Sequence, residues 1–205
     1  MEFLYRLDRE IFLYLNGMGN EGWDGFWLTV TNKFFWIPLY LLLLVALFKY
    51  YDWKKAVYYI LAVALLVAFT DQFVNVIKFT TMRIRPCNDP DFQNIARIVK
   101  HSGGYSFISG HATNSTAVST FFYLLFRKRI SLFYLVFVWP LTFAFSRIYL
   151  GVHFPGDVLA GIVAGVLIGF VFYRLFSNWK QSGQDTIETY FSEMFNNSGK
   201  SKYHP

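Results

Sequence analysis

The chain has 205 residues, 55% of them hydrophobic and 21% aromatic, with a formal net charge of +6. Apolar residues at that level, gathered in long runs, exclude an ordinary soluble domain and leave length for one membrane domain. The cations stand at the ends of apolar runs and in one loop, so topology and phosphate binding explain them and nucleic acid is excluded as a partner.

In chain order, residues 1–16 place Phe3, Leu4, Leu7, Ile11, Phe12 and Leu15 at helical spacing among charges. That pattern predicts an amphipathic helix lying in the membrane interface. It lacks the basic-then-apolar order of a cleaved signal peptide. Residues 23–32 either prolong the first span or form a separate interfacial turn. A span needs about 20 mainly apolar residues, and five stretches qualify: 33–48, 56–77, 112–127, 131–150 and 156–176. The third carries Ser115, Thr116, Ser119 and Thr120, which suits a helix packed inside a bundle. The expected fold is all-α: a polytopic transmembrane bundle of five spans plus the N-terminal helix, six core helices in one domain over 1–178. Residues 179–205 are polar and lack an apolar period, which predicts a disordered cytoplasmic tail. Cys87 is the sole cysteine, which excludes an intramolecular disulfide and argues against a cysteine zinc site.

Lysine and arginine set the orientation. Lys49, Lys54 and Lys55, then Arg127, Lys128 and Arg129, occupy short turns at one face, and Arg174 and Lys180 fall there too. The positive-inside rule makes that face cytoplasmic. Lys78, His111, Arg147, His153 and Asp157 all then reach the opposite, outer face, although some 80 residues of sequence separate them. Those positions did not enter the orientation argument.

The chemistry of these residues is that of phosphate. His153 and Asp157 are four apart around Pro155, which is tolerated in a helix's first turn. A carboxylate that binds one ring nitrogen fixes the tautomer and leaves the other nitrogen nucleophilic. His111 follows Ser109-Gly110, where the glycine permits a tight turn that aims N–H groups at an anion near a helix N-terminus. A histidine there suits general acid work on a leaving oxygen. Lys78, Arg85 and Arg147 supply positive charge, and arginine adds a planar donor fork. Arg83 and Lys49 read as ordinary anchors of helix ends. Asp71, Asn75 and Lys78 share one helix face, where Asp71 either pairs with a cation or satisfies a neighbouring hydroxyl. Gly161, Gly165 and Gly169 recur every four residues, the spacing of close helix packing. Asn114-Ser115-Thr116 has the form of a glycosylation sequon but falls in an expected span.

Three clusters together resemble the type 2 phosphatidic acid phosphatase superfamily. Lys78, six residues, then Arg85-Pro86 match its first signature. Ser109-Gly110-His111 match most of the second. Ser146-Arg147, five residues, His153, three residues and Asp157 match the third. The resemblance spans about residues 71–165. It implies that His153 attacks phosphorus, Asp157 supports His153, and His111 protonates the leaving oxygen. Lys78, Arg85, Ser109, Gly110 and Arg147 would hold the phosphoryl oxygens, with no metal and no cofactor. Ile108 stands where the family usually has proline, which leaves the donors in place but loosens the turn. The soluble vanadium haloperoxidases of the same superfamily are disfavoured by the spans.

The expected activity is a lipid phosphate phosphatase of a bacterial cytoplasmic membrane, with its site outward. Undecaprenyl diphosphate is the first expected substrate, because an outward site suits carrier recycling. Phosphatidylglycerophosphate, phosphatidic acid and the 1-phosphate of lipid A are the alternatives. Rival classes are a lipid phosphotransferase and a non-catalytic anion-binding membrane protein. The expected partners are the bilayer and the lipid substrate, with a homo-oligomer compatible with both.

Overall fold

The computed structural model describes residues 2–92 and 94–177. The polar segment 179–205 expected as a tail lies outside the described residues. Among the described residues there are seven α-helices and no strand: α1 (Glu2–Gly17), α2 (Glu21–Val30), α3 (Ile37–Tyr50), α4 (Trp53–Thr81), α5 (Gly110–Phe126), α6 (Val138–Tyr149) and α7 (Pro155–Phe176). The helix beyond the six expected is α2, which residues 21–30 form by themselves.

Local chemistry sets the boundaries. The Asp52 side chain accepts from Lys55 N–H at 3.1 Å and starts α4, as an N-cap does. Met82, left-handed with φ 46°, ends it. Ser109 caps α5 by accepting from Ala112 N–H. Pro155 opens α7, where a missing N–H costs nothing. Lys33–Tyr50, α4 and α7 are long and apolar enough to cross a membrane, whereas the apolar run Phe133–Tyr149 is shorter. With 29 residues, α4 is about 43 Å long at 1.5 Å per residue, more than a hydrocarbon core of about 30 Å.

The bundle is built around α5. Thr113, Ser115, Thr116, Ser119 and Thr120 are all buried there, which is why this helix has no continuous apolar surface. Its closest neighbour is α7. A Cβ on Gly161 would lie 2.8 Å from the Ser109 carbonyl oxygen, on Gly165 2.6 Å from that of Thr113, and on Gly169 2.5 Å from that of Ala117. Only glycine permits this approach, so the four-residue repeat does pack a seam.

The two ends differ in chemistry. At one end Tyr51, Tyr59, Phe121 and Phe126 form an aromatic core. There Arg129 lies 4.1 Å over the Tyr51 ring and donates to Tyr50 O at 3.1 Å, so the basic turns after α3 and α5 meet. The other end gathers the 82–109 loop, the start of α7 and the whole of α1. The docking of α1 goes beyond an interfacial helix. Phe12 is fully buried between Phe92 and Phe154. Asn16, also buried, donates to Ile148 O and Tyr149 O, satisfying carbonyls at the end of α6. Phe3, Leu4, Leu7 and Ile11 remain exposed, and they are the apolar face left for lipid.

Candidate active site

Asp157, the third residue of α7, has no accessible surface and is held from several sides. It accepts from Arg83 Nη1 at 2.7 Å, from Phe154 N–H at 2.9 Å and from the Ser106 hydroxyl. His153 Nδ1 lies 3.4 Å from Asp157 Oδ2 and 3.3 Å from Ser106 Oγ. With the Ser106 proton given to Asp157, the serine lone pair faces Nδ1. The network therefore assigns the proton to Nδ1 and leaves a lone pair on Nε2. Burial pushes the His153 imidazole down to about 3, against the opposing pull of Asp157, so the ring is neutral at pH 7.

Arg85 Nη1 donates to that Nε2 at 2.9 Å and also to Val152 O at 3.1 Å. Burial lowers the Arg85 guanidinium from its ordinary value, although an arginine so placed stays charged. Arg147, on α6, is buried at 3% exposure. Its Nη1 donates to Thr31 Oγ1 at 2.6 Å, while its Nε is buried with no partner among the described residues. An orphaned guanidinium donor in a cluster of cations is the vacancy that an anion fills. Lys78, at the end of α4, is near enough for Arg85 and Arg147 to act on its charge, and no carboxylate pairs with it among the described residues.

Ser109 ties the two helices of the seam: its N–H donates to Asp157 O at 3.0 Å while its side chain caps α5. Gly110 and His111 follow, and the His111 ring packs on Phe143 at 4.8 Å. All eight residues expected from the sequence thus converge at one end of the bundle. They divide in two. His153, Asp157, Arg85, Arg147 and Ser109 are buried. Lys78, Gly110 and His111 line a cavity of about 650 Å³.

The cavity runs between α3, α4, α5 and α6, with Leu43, Val63, Val67 and Phe122 among its apolar walls. A water-soluble phosphate needs no such walls. They fit an apolar chain whose head reaches Lys78 and His111.

Residues 55–181 match the family described as the PAP2 superfamily. The chain belongs to that superfamily. It is 38% identical over 178 residues to a lipid A 4'-phosphatase of Bacteroides thetaiotaomicron, covering 84% of this chain and 78% of that one. It is 36% identical over 99 residues to the undecaprenyl-diphosphatase BcrC of Bacillus subtilis, covering 48% and 49%. A crystal structure of a transmembrane PAP2 type phosphatidylglycerolphosphate phosphatase from Bacillus subtilis has the same fold, with TM-score 0.70 at 22% identity over 88% of this chain and 90% of that one. The protein is a membrane lipid phosphatase of the PAP2 superfamily.

This PAP2 phosphatase also places residues at the site that sequence reasoning did not select. Arg83, read as a lipid anchor, bridges Asp157 and Asp8, the latter at 2.6 Å. Asp8 in turn accepts from Gly156 N–H at 2.6 Å, which pins α1 to the first turn of α7. Ser106 completes the Asp157 cage and Thr31 positions Arg147. Ser106 sits in an irregular Ser/Gly loop and Asp8 among other charges of an amphipathic helix, so neither carries a local signal. Arg83 had one, its position two residues before Arg85 in the same loop. Among the described residues Asp71 pairs with no cation and with no hydroxyl. It accepts instead from the side-chain amide of Asn114, Nδ2, at 2.5 Å, a partner that neither expectation named.

Proposed function

We propose that this phosphatase removes a phosphate monoester from the sugar headgroup of lipid A, with His153 as nucleophile, at the outer side of a bacterial cytoplasmic membrane. The observation that carries the chemistry is a neutral, oriented His153 beside the orphaned Nε of Arg147. The relative from Bacteroides thetaiotaomicron, which matches most of this chain, supports the substrate class. It is a lipid A 4'-phosphatase, whereas the undecaprenyl-diphosphatase matches about half of either chain. Lipid A phosphate therefore replaces undecaprenyl diphosphate as the first expected substrate.

In the first step His153 Nε2 attacks phosphorus and the P–O ester bond breaks. His111 gives its proton to the departing sugar oxygen, leaving a phosphohistidine. In the second, water loses a proton to His111 and attacks phosphorus. The P–N bond breaks, phosphate leaves and His153 is restored. Asp157 supports the charge that develops on His153. Lys78, Arg85, Arg147, Ser109 and the Gly110 N–H hold the phosphoryl oxygens. The phosphate takes over the Arg85 donor that now covers Nε2, which uncovers the nucleophile only when substrate is present. The basic turns Lys49–Lys55 and Arg127–Arg129 support the orientation.

The test is phosphate release in EDTA by the purified protein from lipid A, undecaprenyl diphosphate, phosphatidic acid and phosphatidylglycerophosphate. Release from lipid A first, abolished by His153→Ala, is expected. Activity that survives His153→Ala contradicts the mechanism, and faster release from undecaprenyl diphosphate contradicts the substrate.

A further inference from the structure

The cavity beneath Lys78 is not uniformly apolar. Asp71, Asn75 and Asn114 also line it. Asp71 stands seven residues before Lys78, about 10 Å further along α4 at 1.5 Å per residue. On a helix of 29 residues this lies at hydrocarbon depth. A carboxylate there is costly to keep and is a marker of function.

The hydrogen bonds leave this cluster half satisfied. The Asn114 side chain is committed at both ends. Its carbonyl oxygen meets the Thr70 hydroxyl and its N–H2 donates to Asp71 Oδ1 at 2.5 Å. Asp71 Oδ2 has no partner among the described residues, and neither has the Asn75 amide. Both residues are exposed, and both line the cavity. A tie between α4 and α5 needs only one oxygen of Asp71, and a neutral amide would serve as well. The free oxygen is an acceptor on a residue that lines the cleft.

We infer that Asp71 and Asn75 form a specificity subsite that accepts a hydrogen bond from a hydroxyl or amide N–H on the lipid, about 10 Å along α4 from Lys78. This rests on the proposed phosphatase reading and deepens it. A prenyl chain offers no donor beyond its phosphates, and the diacyl ester part of a glycerolipid offers only acceptors. Either would leave the cluster unpaired in an apolar cleft, at a cost. An amino-sugar phosphate carrying hydroxyacyl amides offers donors close to the headgroup. The same asymmetry, in which a site built to pair with a donor rejects the analogue lacking it, separates substrates far better than chain length does.

Two synthetic glucosamine lipid phosphates test this, one with 3-hydroxyacyl amides and one with plain acyl esters in their place. The full-length protein in detergent should show kcat/KM at least ~10-fold higher for the first, the least expected of one lost pairing. Asp71→Asn leaves one oxygen to accept from Asn114 and turns the free oxygen into N–H2. It should bring the ratio to about one by slowing only the hydroxyacyl amide lipid. Asn75→Leu should lower the ratio in the same direction, and it keeps the test open should Asp71→Asn fold poorly. A ratio near one in the wild type, or a ratio unchanged in both variants, overturns the subsite and leaves the phosphatase standing. No phosphate from either lipid with the wild type overturns the phosphatase reading itself, and the subsite with it.

Discussion

The two sides of α5 solve opposite problems. Against α7 it is closed: three glycines bring the helices so near that backbone meets backbone. Toward α3 and α4 it is open, with a cleft of about 650 Å³. The closed side holds Ser109 and His111 in fixed relation to His153 and Asp157, because both ends of the catalytic set begin at the first turns of α5 and α7. The open side carries no such constraint and presents an apolar slot with a few polar groups. On the proposed mechanism reaction geometry belongs to the seam and lipid choice to the cleft, and substitutions on the two sides should fail differently.

The largest difference is expected at the seam. Gly165→Leu places a side chain where a Cβ alone would meet Thr113 O at 2.6 Å and Thr116 Cβ at 2.8 Å. Forcing the helices apart should cost on the order of 1–3 kcal/mol or more, lower the melting temperature and reduce kcat toward every lipid alike. Exposed Leu167, two residues on, is the control, and Leu167→Ala should change neither. A Gly165→Leu protein with wild-type kcat would deny the seam its role.

A smaller, selective effect is expected in the cleft. Val67→Trp narrows it without touching the catalytic groups. Release from a long-chain lipid phosphate should fall roughly 10-fold in kcat/KM, while a short-chain, water-soluble phosphate is hydrolysed as before. Equal loss on both would mean that the cleft does not hold the chain.

A further effect is on stability against pH. The folded protein keeps His153 unprotonated down to about 3, whereas the unfolded chain binds that proton near 6.5. The unfolded state therefore binds more protons in this window, and stability is lost as pH falls from about 6.5 toward about 3. His153→Asn should flatten that part of the melting-temperature profile. A profile identical to wild type would show that burial does not hold the imidazole neutral.

The division between seam and cleft also explains what the sequence could reveal. Phosphate chemistry calls for particular residue types at particular spacings, so Lys78, Arg85, His111, Arg147, His153 and Asp157 were legible as a candidate set. The glycine repeat was legible for the same reason, since nothing else fits. Residues that hold those groups are chosen by tertiary position. Ser106 and Asp8 reach Asp157 and Arg83 from segments 51 and 75 residues away in sequence from those partners, and no local pattern marks such a contact. The helix α1 shows the same limit. Its apolar period was clear, but the burial of Phe12 and Asn16 against the site loops depends on elements more than 70 residues distant. Lipid choice was least legible, because apolar walls look alike whichever chain they admit. The polar groups in the wall, Asp71, Asn75 and Asn114 among them, depart from that sameness.

The most direct measurement is to trap the phosphoenzyme. Lipid A labelled in its sugar phosphate would be mixed with the protein, quenched within milliseconds in base, and the peptides mapped. Label on the peptide carrying His153, absent in His153→Ala and accumulating when His111 is replaced, is the predicted result. Phosphate released at the normal rate with no label on His153, or label on another residue, would contradict a seam built to present that histidine to phosphorus.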